Sequence, residues 1–450
     1  MPRIAVAMSG GGHRASVFAL GVMLYLADAQ RSGQITSIAS VSGGSLANGA
    51  LAQDVDLRSA STGDVEAAIA GVARRVTGRG TLFGANSTIV YLFALAVLAL
   101  AVAVGPWLLP IPTALEILVL LAGVLVLAWF AGLRGWVCAR AYAQTLFSPT
   151  GHPTRLADIH TSVDHVICAT DLHAGENVYF SGAFVCSYRF GMGTPGDLPL
   201  HRAVQASAAF PGAFPVVWVR RSRFRFIGGR PEAERVRLLG LVDGGVYDNM
   251  ADQWAHGMGT RQSRWGAHGA AFQDADELII VSASAGLEFG SIARLRLPVL
   301  GELLALLRDK SVLYDNGNSV RREWLVDRFE TAEREGVGLR GGLVHIVQSP
   351  YVVPNFFVGG GGPSPAPERA ARAKAAIELL RSGPGPDEDE WKTIAAANAH
   401  VPTTLVGLEK DITARLLYHA YVLAMVNLHV LLDYPLLQLP PRSRFEQLLD

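Results

Sequence analysis

The chain has 450 residues, of which half are hydrophobic and 17% are charged, and its 39 basic and 39 acidic side chains give a formal net charge of zero. This balance excludes an intrinsically disordered chain, which combines low hydrophobicity with high net charge. It also excludes the basic footprint of a nucleic-acid-binding protein. The length predicts two or three domains with room for a large core, and the small share of charged residues indicates that part of the chain leaves water.

The N-terminal 75 residues alternate between short apolar runs and turns rich in glycine or serine. The first run, residues 4–8, is too short for the hydrophobic region of a signal peptide, so we expect the chain to open directly with a buried strand. A helix over 17–29, a second strand over 35–41 and a second helix over 46–53 are expected to follow. This alternation predicts an α/β architecture with a mainly parallel central sheet.

Two long apolar runs, at residues 88–109 and 113–133, are the strongest organisational signal. The first carries no charge and the second carries only Glu116, near its start. Each run meets the length of about 20 apolar residues that a spanning helix needs, whereas buried helices in soluble cores are rarely as long and as uniformly apolar. Prolines at 110 and 112 separate the runs. The sequence therefore predicts a transmembrane hairpin.

The charges that flank the hairpin predict its orientation. Arg74, Arg75 and Arg79 precede it, Arg134 and Arg140 follow it, and the connecting loop has no Lys or Arg. The positive-inside rule places both long flanking regions in the cytoplasm. We therefore expect an integral membrane protein of a bacterial inner membrane, with two spans and with its bulk on the cytoplasmic side.

Apolar runs after the hairpin predict the remaining elements. The last of the expected helices is apolar but contains His419, Asn427 and His429, which favour a buried or amphipathic helix over a third span. The sequence predicts strands at 165–170, 239–242, 277–282 and 343–347, a loop at 358–365, and helices at 366–381 and 405–432. The predicted domains are a core in two parts, 1–80 and 150–350, an inserted hairpin at 86–135, and a C-terminal region of loop and helices at 351–450.

Cysteine usage favours packing over chemistry. Cys138, Cys168 and Cys186 are an odd number with no CxxC spacing, which supports neither a disulfide framework nor a zinc site. We expect each to be a small buried hydrophobic residue in a chain that mostly faces a reducing compartment.

The first motif that carries chemistry is the glycine run between the first strand and the first helix. It consists of Gly10, Gly11 and Gly12, followed by His13 and Arg14. Three glycines let the backbone turn sharply and aim its N–H groups at one point, reinforced by the helix N-terminus. Such a nest binds an anion, either a nucleotide phosphate or the oxyanion of an acyl-transfer intermediate. The run has neither the P-loop pattern nor a full GxGxxG.

The second motif is a serine placed where a strand breaks into a helix, as in the nucleophile elbow. Ser42, flanked by Ser40 and Gly44, directly ends the apolar strand. In the alternative register the nucleophile is Ser45, preceded by Gly43, which places the serine in the first helical turn. The pattern favours Ser42, and it also fits a plain helix cap followed by a turn softened by glycine.

The third motif is Asp243, which ends a predicted strand and is followed by Gly244 and Gly245. A lone Asp-Gly-Gly sequence is usually a turn. In a chain that already has an anion nest and a serine elbow, Asp243 becomes the candidate general base or orienting acid. His13 and His256 lie near these motifs in sequence, and we expect packing or surface roles for both.

The ordered set GGGHR, SVSGGS and DGG resembles the patatin-like phospholipase family of lipid acyl hydrolases. Residues 203–215, with the sequence AVQASAAFPGAFP, are similar to the stretch that precedes the aspartate motif of that family. The resemblance covers most of residues 4–75 and 160–250. It implies a patatin-like three-layer sandwich with a mainly parallel central sheet, into which the transmembrane hairpin is inserted.

The resemblance also implies roles for individual residues. Ser42 is the nucleophile and Asp243 activates it, so the catalytic pair is a Ser/Asp dyad instead of a triad. Arg14 orients the glycine loop or biases it toward anions. Ser40 departs from the family, which has glycine at this position of the elbow, and its hydroxymethyl group raises the strain modestly. The implied oxyanion hole consists of the backbone N–H groups of Gly10, Gly11, Gly12 and Gly43.

Together the hairpin and the resemblance imply a membrane-anchored phospholipase A or lysophospholipase that cleaves carboxylic esters of membrane lipids. Neither a metal nor another cofactor is expected, membrane lipids are the expected partners, and nucleic acid is not. Two alternatives remain open: an acyltransferase or neutral-lipid lipase on the same scaffold, and a catalytically inert membrane scaffold. The presence of Ser42, Asp243 and all three glycines argues against the inert scaffold.

Overall fold

The computed structural model describes residues 1–108, 112–148, 151–266, 272–287, 300–359 and 367–450. Most of the turn predicted between the two apolar runs, and most of the loop predicted at 358–365, lie outside the described residues.

The strands are β1 (Ile4–Met8), β2 (Ile35–Ser40), β3 (Asp164–Asp171), β4 (Glu176–Phe180), β5 (Val185–Ser187), β6 (Gly191–Gly193), β7 (Val217–Arg220), β8 (Leu238–Asp243), β9 (Glu277–Ser282) and β10 (Arg340–His345). The helices of the first half are α1 (Gly12–Asp28), α2 (Gly43–Asp54), α3 (Thr62–Val76), α4 (Gly80–Phe83), α5 (Asn86–Leu108), α6 (Thr113–Gly132), α7 (Arg134–Thr145) and α8 (Leu200–Ser207). Those of the second half are α9 (Gly245–Asp248), α10 (Gln253–His256), α11 (Met258–Trp265), α12 (Leu300–Glu335), α13 (Val352–Val358), α14 (Pro367–Ser382), α15 (Glu388–Ala399), α16 (Lys410–Leu432) and α17 (Arg442–Gln447).

The strands form one mixed sheet in the order β10-β9-β1-β2-β3-β4-β5-β6, and β8 pairs with both β3 and β7. The five strands from β10 to β3 run parallel to one another. All the other pairings are antiparallel. The predicted α/β class with a central sheet is confirmed. The mainly parallel register predicted for the sheet applies only to the half that carries the glycine run and the serine elbow, because strands β4 to β8 pair with their neighbours in antiparallel fashion.

The sheet is covered by helices on both faces. On β1, Ile4, Val6 and Met8 belong to one hydrophobic core, whereas Ala5 and Ala7 belong to a second. Since successive side chains of a strand point to opposite faces, the two cores lie on the two sides of the sheet. A strand buried on both faces has no polar side to show, which explains the uninterrupted apolar run in the sequence. The fold is a sandwich of three layers.

Helix α16 lies in the first core, packed against α1. The apolar window of α16 is 83% buried. The backbones of the two helices approach closely at Gly21, where a Cβ atom would lie 2.5 Å from the carbonyl oxygen of Leu417. His419 is fully buried, and its Nε2–H donates to the carbonyl oxygen of Gln348 at 2.8 Å. The prediction of a buried helix is confirmed.

Helices α5 and α6, unlike α16, are almost entirely exposed. Their apolar windows are 6% and 0% buried, although both are long and apolar enough to cross a membrane. They pack on each other, since the rings of Tyr91 and Phe130 stack with centroids 5.3 Å apart and Gly123 faces Val102. A soluble monomer seldom exposes so large an apolar surface. Within the described part of the chain, nothing covers this apolar surface.

Candidate active site

Ser42 occupies the turn between β2 and α2 in a strained backbone conformation. Its φ is +52° and its ψ is −116°, which residues with a side chain rarely adopt. The glycines that follow it allow the close packing this turn requires. A Cβ atom on Gly44 would lie 2.6 Å from the carbonyl oxygen of Met8, and one on Gly43 would collide with the carbonyl oxygen of Gly12. A strained, closely packed turn between a strand and a helix is what the predicted nucleophile elbow requires of Ser42.

Ser45, the alternative nucleophile, is fully buried inside α2. Its hydroxyl donates to Ser40 Oγ at 3.0 Å and lies 2.9 Å from Ser207 Oγ. The Ser40 hydroxyl also accepts a hydrogen bond from Asn48 Nδ2 at 2.9 Å, so the residue that departs from the family pattern is accommodated by neighbours in the core. Ser42, by contrast, is only half-buried. Of the two serines, Ser42 is the one a substrate can reach.

The glycine run lies directly beside the elbow. Gly11 and Gly12 have φ values of +139° and +61°, and their N–H groups donate to no acceptor among the described residues. The Gly43 N–H is likewise without an acceptor in the described part of the chain. Gly10 differs, because its N–H donates to the carbonyl oxygen of Asn249 at 3.2 Å. The donors left open beside Ser42 are therefore Gly11, Gly12 and Gly43, and the Gly10 N–H in the predicted set is already engaged.

Asp243 ends β8 and is buried, with 4% of its surface exposed. Its Oδ1 accepts a hydrogen bond from the N–H of Gly245 at 2.8 Å. Ser207, the last residue of α8, connects the aspartate turn to the elbow. Its Oγ accepts from the N–H of Ser42 at 3.0 Å, and its carbonyl oxygen accepts from the N–H of Gly244 at 3.1 Å. Two motifs that are distant in sequence are thus joined through a single residue.

Asn249 is a residue of this site that the motif analysis did not identify. Its Oδ1 is buried and has no hydrogen-bond partner within the described ranges. A Cβ atom on Gly10 would lie 2.5 Å from this oxygen and 3.2 Å from Ser42 Cβ. A Cβ atom on Gly245 would lie 2.8 Å from the same oxygen and 3.0 Å from Asp243 Oδ1. The unpartnered oxygen therefore lies between the serine and the aspartate, a placement that no local sequence pattern signals.

Arg14 and the segment 399–408 hold the glycine run from the other side. The Arg14 guanidinium is buried, and its Nη1 donates to the carbonyl oxygens of Ala399 and Val401 at 2.8 and 2.7 Å. The carbonyl oxygen of Thr404 accepts from the N–H of His13 at 2.9 Å. Of the two roles expected for Arg14, these contacts fit the orienting one.

His13 is fully buried and has a packing role. Its Nδ1–H donates to the carbonyl oxygen of Val406 at 2.9 Å, and its Nε2 accepts from the Thr81 hydroxyl at 2.7 Å. Burial lowers the pKa of His13 to about 4, with the bond to Val406 acting in the opposite direction. The ring is therefore neutral at pH 7 and is fully engaged away from Ser42.

A buried charged cluster lies behind the aspartate turn. Asp252 accepts from Arg321 Nε and Nη2 at 2.6 and 2.9 Å, which ties α12 to this turn. Burial, with a further contribution from Asp252, raises the pKa of Asp248 to about 7. His256 lies with its Nε2 3.7 Å from Asp252 and its ring against Trp324. Both ring nitrogens of His256 are without a hydrogen-bond partner among the described residues, and its contact with Trp324 fits the expected packing role.

The three cysteines are buried and free, which confirms their predicted character. Among the described residues, no group of three His, Cys, Asp or Glu side chains is placed to hold a metal ion.

No family model and no curated protein matches the chain. Among solved structures, human GIVD cytosolic phospholipase A2 aligns with 12% identity and a TM-score of 0.45, over 100% of this chain and 60% of that one. The same enzyme in complex with methyl gamma-linolenyl fluorophosphonate aligns with 13% identity and a TM-score of 0.41, over 100% and 58% of the two chains. VipD from Legionella pneumophila aligns with 14% identity and a TM-score of 0.30, over 92% of this chain and 66% of that one. The chain thus spans about 60% of the length of the human phospholipase.

Proposed function

We propose that the protein is a membrane-anchored serine lipid acyl hydrolase, of the phospholipase A or lysophospholipase type, that acts through Ser42 and Asp243. The observation that carries this proposal is the strained φ of Ser42 next to the unpartnered N–H groups of Gly11 and Gly12. A nest alone binds any anion, and a strained serine alone defines no reaction. A nucleophile that a substrate can reach, beside donors for a developing oxyanion, is the pair that acyl transfer requires.

The arrangement supports a two-step reaction. Ser42 Oγ attacks the ester carbonyl carbon as its proton passes to Asp243, and the N–H groups of Gly11, Gly12 and Gly43 stabilise the oxyanion. When the intermediate collapses, the leaving alcohol takes the proton from Asp243 and the acyl group stays on Ser42. Water then attacks the acyl-enzyme by the same route and releases the fatty acid. Asn249 Oδ1 offers an acceptor for the hydroxyl or water that lies between the two catalytic groups.

Two features support a lipid as the substrate. The exposed hairpin of α5 and α6 suits insertion into a bilayer, and tethering raises the effective concentration of an enzyme at a two-dimensional substrate. The turns around Asp243 also present apolar side chains to the outside. Phe210, Val246 and Tyr247 are 51%, 48% and 43% exposed. Phe210 follows Ala209 and Val246 follows Gly245, the two residues that hydrogen-bond Asp243. An apolar rim of this kind suits an ester with a long acyl chain better than a small polar ester.

Fatty acid release from mixed phospholipid vesicles tests the dyad. We expect Ser42→Ala and Asp243→Asn to lower the rate by about a thousandfold, because removing either partner disables one catalytic unit. Ser45→Ala is the matched control and should stay within about tenfold of the wild type, since it removes a buried hydroxyl of the same size. Melting temperatures of the detergent-solubilised variants verify that each is folded.

A fluorophosphonate probe provides a second readout that does not depend on the choice of lipid. It should label the wild type and Ser45→Ala but not Ser42→Ala. Labelling that is lost only in Ser45→Ala would move the nucleophile to that residue. A folded wild-type protein that neither releases fatty acid nor takes up the probe would make the chain an inert scaffold.

A further inference from the structure

A second concave site lies where the hairpin meets the α/β core, apart from Ser42, Asp243 and the glycine run. It is a groove of about 1010 Å³ between α7, α8 and β7. Gly132, at the end of α6, and Trp136, on α7, form the side of the groove next to the hairpin. The opposite end of α8 carries Ser207, which contacts the elbow. The groove thus adjoins the exposed apolar helices and shares one helix with the candidate active site.

The groove carries an excess of positive charge. Asp197 is the one carboxylate among its described lining residues, and its Oδ1 pairs with Arg223 Nη1 at 3.0 Å. Arg140, Arg202 and Arg220 also line the groove, and none of these three has a carboxylate within 4 Å in the described part of the chain. Burial, together with the nearby charge of Arg223, lowers the pKa of Arg202. Like charges held together in a partly buried groove are stabilised by an anion, and Asp197 supplies only one negative charge for four arginines.

The polar groups of the groove are held in place before any ligand arrives. Arg202 Nη1 donates to Gln205 Oε1 at 2.6 Å, and Gln205 Nε2 donates to the carbonyl oxygen of Gly135 at 2.6 Å. This chain of bonds fixes the guanidinium beside α7. His201, also in the lining, is only 9% exposed, and its Nδ1 is buried without a partner within the described ranges. Such an orphaned polar atom next to unpaired arginines indicates a site built for a polar ligand.

The side of the groove next to the hairpin is apolar and aromatic. Trp136 is 61% exposed and lies under the guanidinium of Arg140, 5.7 Å from the ring centre. Trp218 of β7, which also lines the groove, is 54% exposed. Tryptophan and arginine at the end of an exposed apolar helix are typical of the level of lipid headgroups. A soluble phosphate compound would use the arginines but not this apolar side.

We propose that the groove binds the phosphate of an anionic phospholipid, whose acyl chains lie against α6. The phosphodiester accepts hydrogen bonds from Arg202 and Arg220, and the chains extend from Trp136 along the hairpin. This inference deepens the proposed function, since it rests on insertion of the hairpin in a bilayer. It identifies a lipid that is bound at the surface of the anchor, in addition to the lipid that is hydrolysed at Ser42.

The test uses full-length Ser42→Ala protein in dodecyl maltoside micelles, so that no lipid is consumed and binding does not depend on catalysis. The melting temperature is followed while dioleoylphosphatidylglycerol, dioleoylphosphatidylcholine or inorganic phosphate is added. We expect phosphatidylglycerol to raise the melting temperature, and phosphatidylcholine and inorganic phosphate to have little effect. Introducing Arg202→Gln and Arg220→Gln together should weaken phosphatidylglycerol binding about thirtyfold, because each arginine near an anionic lipid surface strengthens binding about fivefold and the two factors multiply.

The control carries Arg334→Gln and Arg381→Gln, which remove the same charge from exposed residues outside the groove. It should bind phosphatidylglycerol as Ser42→Ala alone does. Equal binding by the groove variant and the control would overturn the proposal, and so would equal stabilisation by the two lipids. Complete competition by millimolar inorganic phosphate would assign the groove to a soluble phosphate ligand instead. A fatty acid assay that fails while the groove still binds lipid would refute only the proposed hydrolase.

Discussion

Helices α5 and α6 on one side, and α16 on the other, are similar in length but have opposite surroundings. The hairpin windows have a mean hydropathy of 2.5 and are almost wholly exposed, whereas the α16 window has a mean hydropathy of 1.3 and is 83% buried. What separates them is the polar groups they carry. Asn427 of α16 donates to the carbonyl oxygen of Leu343 at 3.0 Å, and His419 is bonded on both ring nitrogens. Polar side chains that need protein partners distinguish a core helix from a helix suited to lipid.

Replacing residues 88–133 by a short Gly/Ser linker is the strongest test of this comparison. We expect the rate on phospholipid vesicles to fall about a hundredfold, because the enzyme loses its effective concentration at the membrane. The rate on a soluble short-chain ester should stay within about twofold, since the hairpin window is almost fully exposed and supports no part of the core. Both rates are measured on the same preparation.

The corresponding control is a truncation before α16, which should yield no folded protein because that helix fills the core beside α1. Unchanged vesicle activity after hairpin replacement would show that the hairpin does not anchor the enzyme. Loss of the soluble-ester activity would show that the hairpin is part of the folded unit.

Adding one methyl group to a glycine in the core and to a glycine in the hairpin tests the same comparison on a smaller scale. Gly21→Ala places a Cβ atom 2.5 Å from the carbonyl oxygen of Leu417 and 2.7 Å from Ala420 Cβ, so α1 and α16 must move apart. We expect the free energy of unfolding to fall by about 1–3 kcal/mol, the usual cost of overpacking. Gly105→Ala in α5 is the matched control, since a Cβ atom there has no described atom within 4 Å. Melting temperatures in detergent compare the two.

The control should be neutral or slightly more stable, because alanine favours a helix over glycine by roughly 0.5–1 kcal/mol. Equal losses in the two variants would mean that the hairpin packs as tightly as the core, contrary to its exposure.

The buried histidines make the stability of the core depend on pH. Burial lowers the pKa of His13 and of His419 to about 4, from 6.5 in the unfolded chain. Between these values the unfolded chain binds protons that the folded chain does not. Stability is therefore lost as the pH falls from about 6.5 toward 4. The melting temperature should drop steadily between pH 7 and pH 5.

His419→Gln isolates one contribution, since glutamine keeps an N–H donor for the carbonyl oxygen of Gln348 but does not titrate. Its melting temperature should vary less with pH than that of the wild type. Two parallel curves would show that His419 does not carry this dependence.

Much of the fold was predictable because its central strands are buried on both faces. Such strands appear as uninterrupted apolar runs, and the predicted bounds at 4–8 and 277–282 match β1 and β9. The antiparallel half of the sheet was not predicted. Strands β5 and β6 have only three residues each and pair with each other. They are too short for an alternating apolar pattern to be recognised in the sequence. Helix α12 was also missed, since its 36 residues lack a continuous apolar face.

The candidate site likewise has features that could be predicted from the sequence and features that could not. The glycine run, the serine elbow and the aspartate turn are each local, since each needs small residues at fixed positions next to a strand end. For that reason Ser42, Asp243, Gly11 and Gly12 could be named from these patterns, whereas Gly43 was implied by the family resemblance. Their roles remain predictions that the proposed variants test.

The amino-acid sequence by itself determined the elements whose physics is local: buried strands, strained turns, and helices too apolar for water. Only the folded chain shows that Ser207 joins the two halves of the site, that Asn249 leaves an unpartnered oxygen between them, and that the Gly10 N–H is already engaged. It likewise separates α16 from the hairpin and gathers the arginines of the groove. Each of these contacts joins segments that are distant in the sequence, and only the packing of the folded chain decides which segments lie next to each other.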